Sequence, residues 1–64
     1  MILKLTDLDN KKLLIPLLNI AIHELEHGSL LCSLTNGVVF LEVTETIEEI
    51  IQQIKEGGVT DDTN

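Results

Sequence analysis

The chain has 64 residues, 44% of them hydrophobic, with eleven acidic residues against four lysines and a net charge of −7. A chain this short makes one domain with a marginal core, and its single cysteine precludes an intramolecular disulfide. There is no arginine and only one aromatic residue, Phe40, which excludes the basic, base-stacking surfaces on which nucleic-acid binding draws.

Met1 to Thr6 reads as a strand with Leu3 and Leu5 on one face. Asp7-Leu8-Asp9-Asn10 is turn-like, because Asp and Asn side chains bond to their own backbone and tolerate unusual φ. Lys11 to Ile15 reads as a second strand ended by Pro16, which has no N–H for a ladder. Leu17 to His27 is ambiguous. As a strand it puts Ile20 and Ile22 on one face with Glu24 and Glu26. As a helix it has a stripe of Leu18, Ala21, Ile22 and Leu25 but leaves Ile20 on the polar side. The reading adopted is a short strand or irregular segment near Ile20 to Leu25, followed by a turn at His27-Gly28-Ser29.

Two apolar runs flank Asn36-Gly37, a strong hairpin signal, because a type I′ turn needs two residues that tolerate positive φ. A two-residue turn there sets Leu34 opposite Val39, Cys32 opposite Leu41 and Leu30 opposite Val43. One face then carries Leu30, Cys32, Leu34, Val39, Leu41 and Val43 and is the expected core face, with Cys32 a small buried hydrophobe. The other face carries Leu31, Ser33, Thr35, Val38, Phe40 and Glu42. Its apolar members Leu31, Val38 and Phe40 are the expected subunit interface.

Thr46 with Glu49 three residues on is a capping box. It opens a helix whose stripe is Ile47, Ile50, Ile51 and Ile54. Glu48 and Glu49 sit at the positive end of the helix dipole, Lys55 near the negative end, and Gly57 is a natural stop. The expected fold class is therefore α+β, mainly β. It is a small antiparallel β-meander or barrel-like sheet of four to five strands closed by one C-terminal helix. Residues 1–56 form one domain and 57–64 a flexible acidic tail. So small and apolar a chain without staples is stabilised by mutual burial, so a homo-oligomer is expected.

Chemistry is sparse. His23-Glu24-Leu25-Glu26-His27 matches H-E-x-x-H, which in zinc proteases lies on a helix with both histidines on one face. Here Gly28-Ser29 follows at once, and the chain is too short to build a substrate cleft. On a strand the two histidines would lie ~13 Å apart, too far for one ion. The match is read as coincidental, His23 and His27 are weak metal candidates only, and no enzyme and no cofactor is expected. Asn10, Lys11 and Lys12 are the best source of a local anion site. The apolar runs are broken by Lys, Pro, Glu and His before a spanning length, and no signal peptide is evident, so the expected setting is cytoplasmic, without membrane contact.

The opening Met1-Ile2-Leu3-Lys4-Leu5-Thr6, the later Leu34-Thr35-Asn36-Gly37 and the run Val43-Thr44-Glu45-Thr46-Ile47-Glu48-Glu49-Ile50 resemble, in order and spacing, the FlbD-type flagellar and swarming motility proteins. The resemblance spans roughly residues 1 to 54. It implies a non-enzymatic β-rich module with no catalytic residues to transfer, docking on a partner. A likeness to carbon-storage regulators is topological only, since their basic residues are missing here. The alternative expectation is a phage-encoded oligomeric sponge that sequesters a nucleotide second messenger in defence signalling, with the Asn10–Lys12 anion site repeated around a ring.

Overall fold

The computed structural model describes residues 1–34 and 39–58. Five strands precede one helix: β1 (Ile2–Thr6), β2 (Lys12–Pro16), β3 (Ile20–Leu25), β4 (Gly28–Ser33), β5 (Val39–Val43) and α1 (Ile47–Lys55). β1 and β2 form one antiparallel sheet, and β3-β4-β5 form a second in sequence order. The sheets meet at one corner, where Asp7 bridges Val43 and the Thr44 N–H donates to the Thr6 carbonyl at 2.9 Å. The β-rich chain closed by a C-terminal helix is as the sequence implies, built as two sheets rather than one continuous sheet.

The first hairpin follows from local chemistry. Asp7 Oδ1 accepts the N–H groups of Asp9 and Lys11 at 2.8 and 2.9 Å, and Asn10 takes φ 65°. A carboxylate inside the bend thus replaces a backbone acceptor, and Asn supplies the left-handed residue. Leu3 and Leu5 alternate inward and are fully buried. After Pro16 the chain reverses through Leu17–Asn19, with Asn19 at φ 55° and its carbonyl accepting the Leu34 N–H at 2.9 Å.

The ambiguous segment is a strand, since pairing with β4 satisfies its backbone and places Ile20 and Ile22 against the core. The turn lies one residue earlier than expected. Leu25 pairs Gly28 directly around Glu26-His27, so Gly28 and Ser29 belong to β4. Gly28 has φ +150°, and a Cβ there would lie 2.3 Å from the Val43 carbonyl oxygen.

The expected β4–β5 register is corrected by one residue. Leu31 faces Leu41, Cys32 faces Phe40 and Ser33 faces Val39. A slip of one exchanges the faces of a strand. β4 therefore turns Ser29, Leu31 and Ser33 to the side of Val39, Leu41 and Val43, and Leu30 and Cys32 to the other. Leu31 is a core residue, 3% exposed, and not a surface interface residue. The cause is anchoring at the start of β4. Gly28 packs against Val43, and the Ser29 hydroxyl donates to the Glu45 carbonyl at 2.8 Å, which directs odd-numbered residues inward. Cys32 is buried as expected, though on the outward face of the central strand, between its cross-strand partners Ala21 and Phe40. The Asn36-Gly37 turn and Val38 lie outside the described residues.

α1 begins with the capping box. Thr46 Oγ1 accepts the Glu49 N–H at 3.2 Å and Glu49 Oε1 accepts the Thr46 N–H at 2.9 Å. Ile50 joins Leu3, Leu5, Leu31 and Val43 in the core, with Ile54 packed against it. Ile51 departs from the expected stripe and is 44% exposed. The helix ends at Gly57 and Gly58, both at positive φ, and the Gly58 N–H donates to the Gln53 carbonyl at 2.8 Å. Of the expected tail, residues 59–64 lie outside the described residues.

Candidate functional site

The two hairpins and the Thr6–Thr44 corner align the strands so that one end of the molecule collects the charge. The β1–β2 turn (Asp7, Asp9, Lys11, Lys12), the β3–β4 turn (Glu24, Glu26) and the β5–α1 junction (Glu42, Glu45, Glu48, Glu49) lie there. The other end comprises the start of β1, the Pro16–Ile20 bend, the end of β4 and the start of β5, with the end of α1 (Lys55, Glu56) at its side where Gly58 packs on Met1 and Ile2. Its bend and strand segments, residues 15–20, 31–34 and 39–41, contain no Asp, Glu, Lys or Arg. Their common location follows only from the pairing.

A groove opens among these charge-free segments, between the end of β2 with its following bend and the inner face of the β3-β4-β5 sheet. Its volume is about 330 Å³, and it is lined by Ile15, Pro16, Leu18, Ile20, Leu31, Ser33, Val39 and Leu41. Ser33 supplies the polar side chain of the lining. Leu18 and Val39 stand on its rim, 71% and 60% exposed. Beside the groove, Leu34 and Phe40 are also exposed, Phe40 on the opposite face of β5 from Val39 and Leu41. Of the residues expected at an interface, Phe40 lies on the surface, Leu31 reaches the groove only from the core, and Val38 lies outside the described residues.

The charged end holds a polar clasp. Glu45 Oε1 accepts the Thr6 N–H at 2.8 Å, and Oε2 accepts the Thr6 hydroxyl at 2.8 Å. Lys12 Nζ donates to that same hydroxyl oxygen at 3.0 Å. This ties β1, β2 and the entry to α1 together. It also bears on the expected anion site. Lys12 is turned to Thr6, and the carboxylate of Asp7 accepts two of the turn's N–H groups, placing negative charge where an anion would sit. Of the three expected residues, Lys12 alone has its side chain engaged, while Asn10 takes part through its backbone N–H on the Asp7 carbonyl at 3.0 Å.

His23 lies on β3 opposite Leu30, and His27 in the turn beyond, both exposed. His27 Nε2 stands 3.9 Å from Glu26 Oε1, a contact between two fully solvated side chains and of little energetic weight. The helix that H-E-x-x-H metal binding requires is absent from this segment. Among the described residues no group of three or more His, Cys, Asp or Glu side chains converges on a metal position. Nor is any helix among them long and apolar enough to cross a membrane.

No family model matches the chain, and no curated protein or solved structure matches it.

Proposed function

We propose that this chain is a non-enzymatic, FlbD-like interaction module that assembles with copies of itself through its uncharged end, the assembly then docking on a protein partner. The observation that carries the reading is the separation of an apolar, grooved end from a charged end in one small β-domain. Copies of a chain with net charge −7 repel one another. That repulsion is least when the uncharged ends meet. The molecule is 33 Å in its longest dimension, several times the ~8 Å over which physiological salt screens charge. An ordinary specific interface of ~800 Å² per copy is about a fifth of the 4473 Å² surface. The uncharged end offers Leu18, Leu34, Val39 and Phe40 toward that area. The nucleotide-sponge alternative gains no support from the geometry of the Asn10–Lys12 turn.

Light scattering coupled to size exclusion tests the reading. The wild type is expected to be multimeric at micromolar concentration. Leu18→Glu is expected to give a folded monomer, because it places a carboxylate on the groove rim without touching the core. A wild type that stays monomeric at all concentrations, or a Leu18→Glu variant that assembles undiminished, overturns the proposal.

A further inference from the structure

Given self-assembly through the uncharged end, on which this inference rests, we propose that the groove is filled by the ring of Phe40 from a second copy, so that copies join head to tail rather than as a symmetric pair. Phe40 is the only aromatic residue of the chain. It is 61% exposed, on the face of β5 that contributes nothing to the core. Its cross-strand neighbour there is Cys32, followed by Ala21. Both side chains are small, so the ring projects as a knob. Unlike Tyr or Trp, it has no polar tip to gain from water.

The groove fits such a knob. Its volume is about 330 Å³, with Leu31 and Leu41 in its floor and Leu18 and Val39 on its rim. A closed aliphatic cavity of ~150 Å³ already takes a benzene ring. The ring cannot come from the same chain. Val39 and Phe40 are consecutive on β5, and successive side chains of a strand take opposite faces. Val39 borders the groove, so Phe40 points away from it. Nor can two copies exchange rings reciprocally. A two-fold pair brings one patch against itself, whereas knob and groove lie on opposite faces of one sheet. Each copy therefore gives its ring to one neighbour and receives a ring from another.

Charge is what points to a copy of this chain. The segments around the groove, residues 15–20, 31–34 and 39–41, carry no charged side chain, and Phe40 lies within them. A surface that covers the groove has to be equally free of charge, because a buried unpaired charge is costly. The surroundings of Phe40 meet that condition, with Leu34 exposed at the same end. A basic partner would be drawn instead to the acidic turns at the other end. Head-to-tail contact builds a ring or an open chain and does not stop at two copies.

The test mixes two variants, each defective on one side. Leu18→Glu spoils the groove rim and keeps the ring. Phe40→Thr removes the ring, keeps a strand-forming residue and leaves the groove intact. Circular dichroism checks that both fold. Light scattering is expected to show more than two copies for the wild type and a tenfold or greater weakening of assembly for each variant alone. An equimolar mixture is expected to form one-to-one pairs, since one variant still supplies the ring and the other still receives it. With para-fluorophenylalanine at the single Phe position of Leu18→Glu, the fluorine NMR signal is expected to move on adding Phe40→Thr and not on adding more Leu18→Glu. In the wild type the same label is expected to shift on dilution, as the ring leaves the groove for water. A wild type that stops at two copies, a mixture that stays monomeric, or a Phe40→Thr variant that assembles like the wild type overturns the head-to-tail contact and leaves the wider assembly reading standing. A small apolar molecule retained by every chain in native mass spectrometry also overturns it, since that molecule takes the place of the ring. A monomeric wild type overturns both.

Discussion

Gly28→Ala is the sharpest probe of what sets the β4 register. The added methyl would sit 2.3 Å from the Val43 carbonyl oxygen and 3.3 Å from the Thr44 Cα, both backbone atoms that no side-chain rotation can move aside. The residue would also have to hold φ +150°. Strained backbone of this kind costs about 1–2 kcal/mol, and overpacking that shifts backbone typically adds about 1–3 kcal/mol. A total of about 2–5 kcal/mol is therefore expected, against a whole-domain stability on the order of 3–10 kcal/mol for this length. That corresponds to a fall in Tm on the order of 10–30 °C. The chain has no Trp or Tyr, so the assay is urea and thermal unfolding by far-UV circular dichroism. Protein concentration must be held fixed, because self-association raises apparent stability. Gly57→Ala is the control: its φ is +90° but a Cβ there meets nothing within 4 Å, so it carries the backbone term alone, about 1–2 kcal/mol. If the two variants lose stability equally, the close approach of β4 to Val43 is not what anchors the strand, and the explanation of the register fails.

Two further substitutions test the junction between β5 and α1. Thr46→Ala removes the acceptor for the Glu49 N–H and leaves the Glu49 carboxylate with half of the capping box; a loss of about 1 kcal/mol is expected from urea unfolding. Glu45→Ala leaves the Thr6 N–H and hydroxyl without their acceptor at a largely buried position, so about 1–3 kcal/mol is expected by the same method. Should Glu45→Ala cost less than Thr46→Ala, the clasp is a surface contact and does not tie the sheets together.

What the sequence discloses here is what neighbouring residues decide among themselves. The Asp7–Asn10 turn, the capping box and the alternation of Leu3 and Leu5 each involve residues a few positions apart, and each forms as read. The Ile20–Leu25 segment carries no such local signal, because its apolar residues fit either period poorly. Its strand state comes from β4, which satisfies its backbone and takes Ile22 opposite Leu31. The hydrogen bonds that lock β1 to the later chain join residues 39 and 49 positions apart. No local pattern marks Gln53 or Glu45 as different from other polar residues at a helix start or on a helix face.

The register of β4 shows how far a local signal can mislead about a site. Asn36-Gly37 implies a two-residue turn, and such a turn implies Leu30, Cys32 and Leu34 inside. On β5 the inward set is the same in either register, since Val39, Leu41 and Val43 share a face both ways. Only β4 is exchanged, and with it the reading of Leu31. The consequence reaches the groove. With Leu31 and Ser33 turned inward, the end of β4 becomes groove floor next to Ile20 and Leu41. Under the other register that floor would have been Cys32 and Leu34, and the apolar surface would have been sought around Leu31. The charge-free runs at 13–22 and 28–41 are insensitive to this choice, because a one-residue slip moves side chains between faces but not between ends of a strand. Charge distribution along paired strands is therefore the more robust guide to where apolar surface collects in so small a β-domain. It points to the end that holds Leu18, Leu34, Val39 and Phe40.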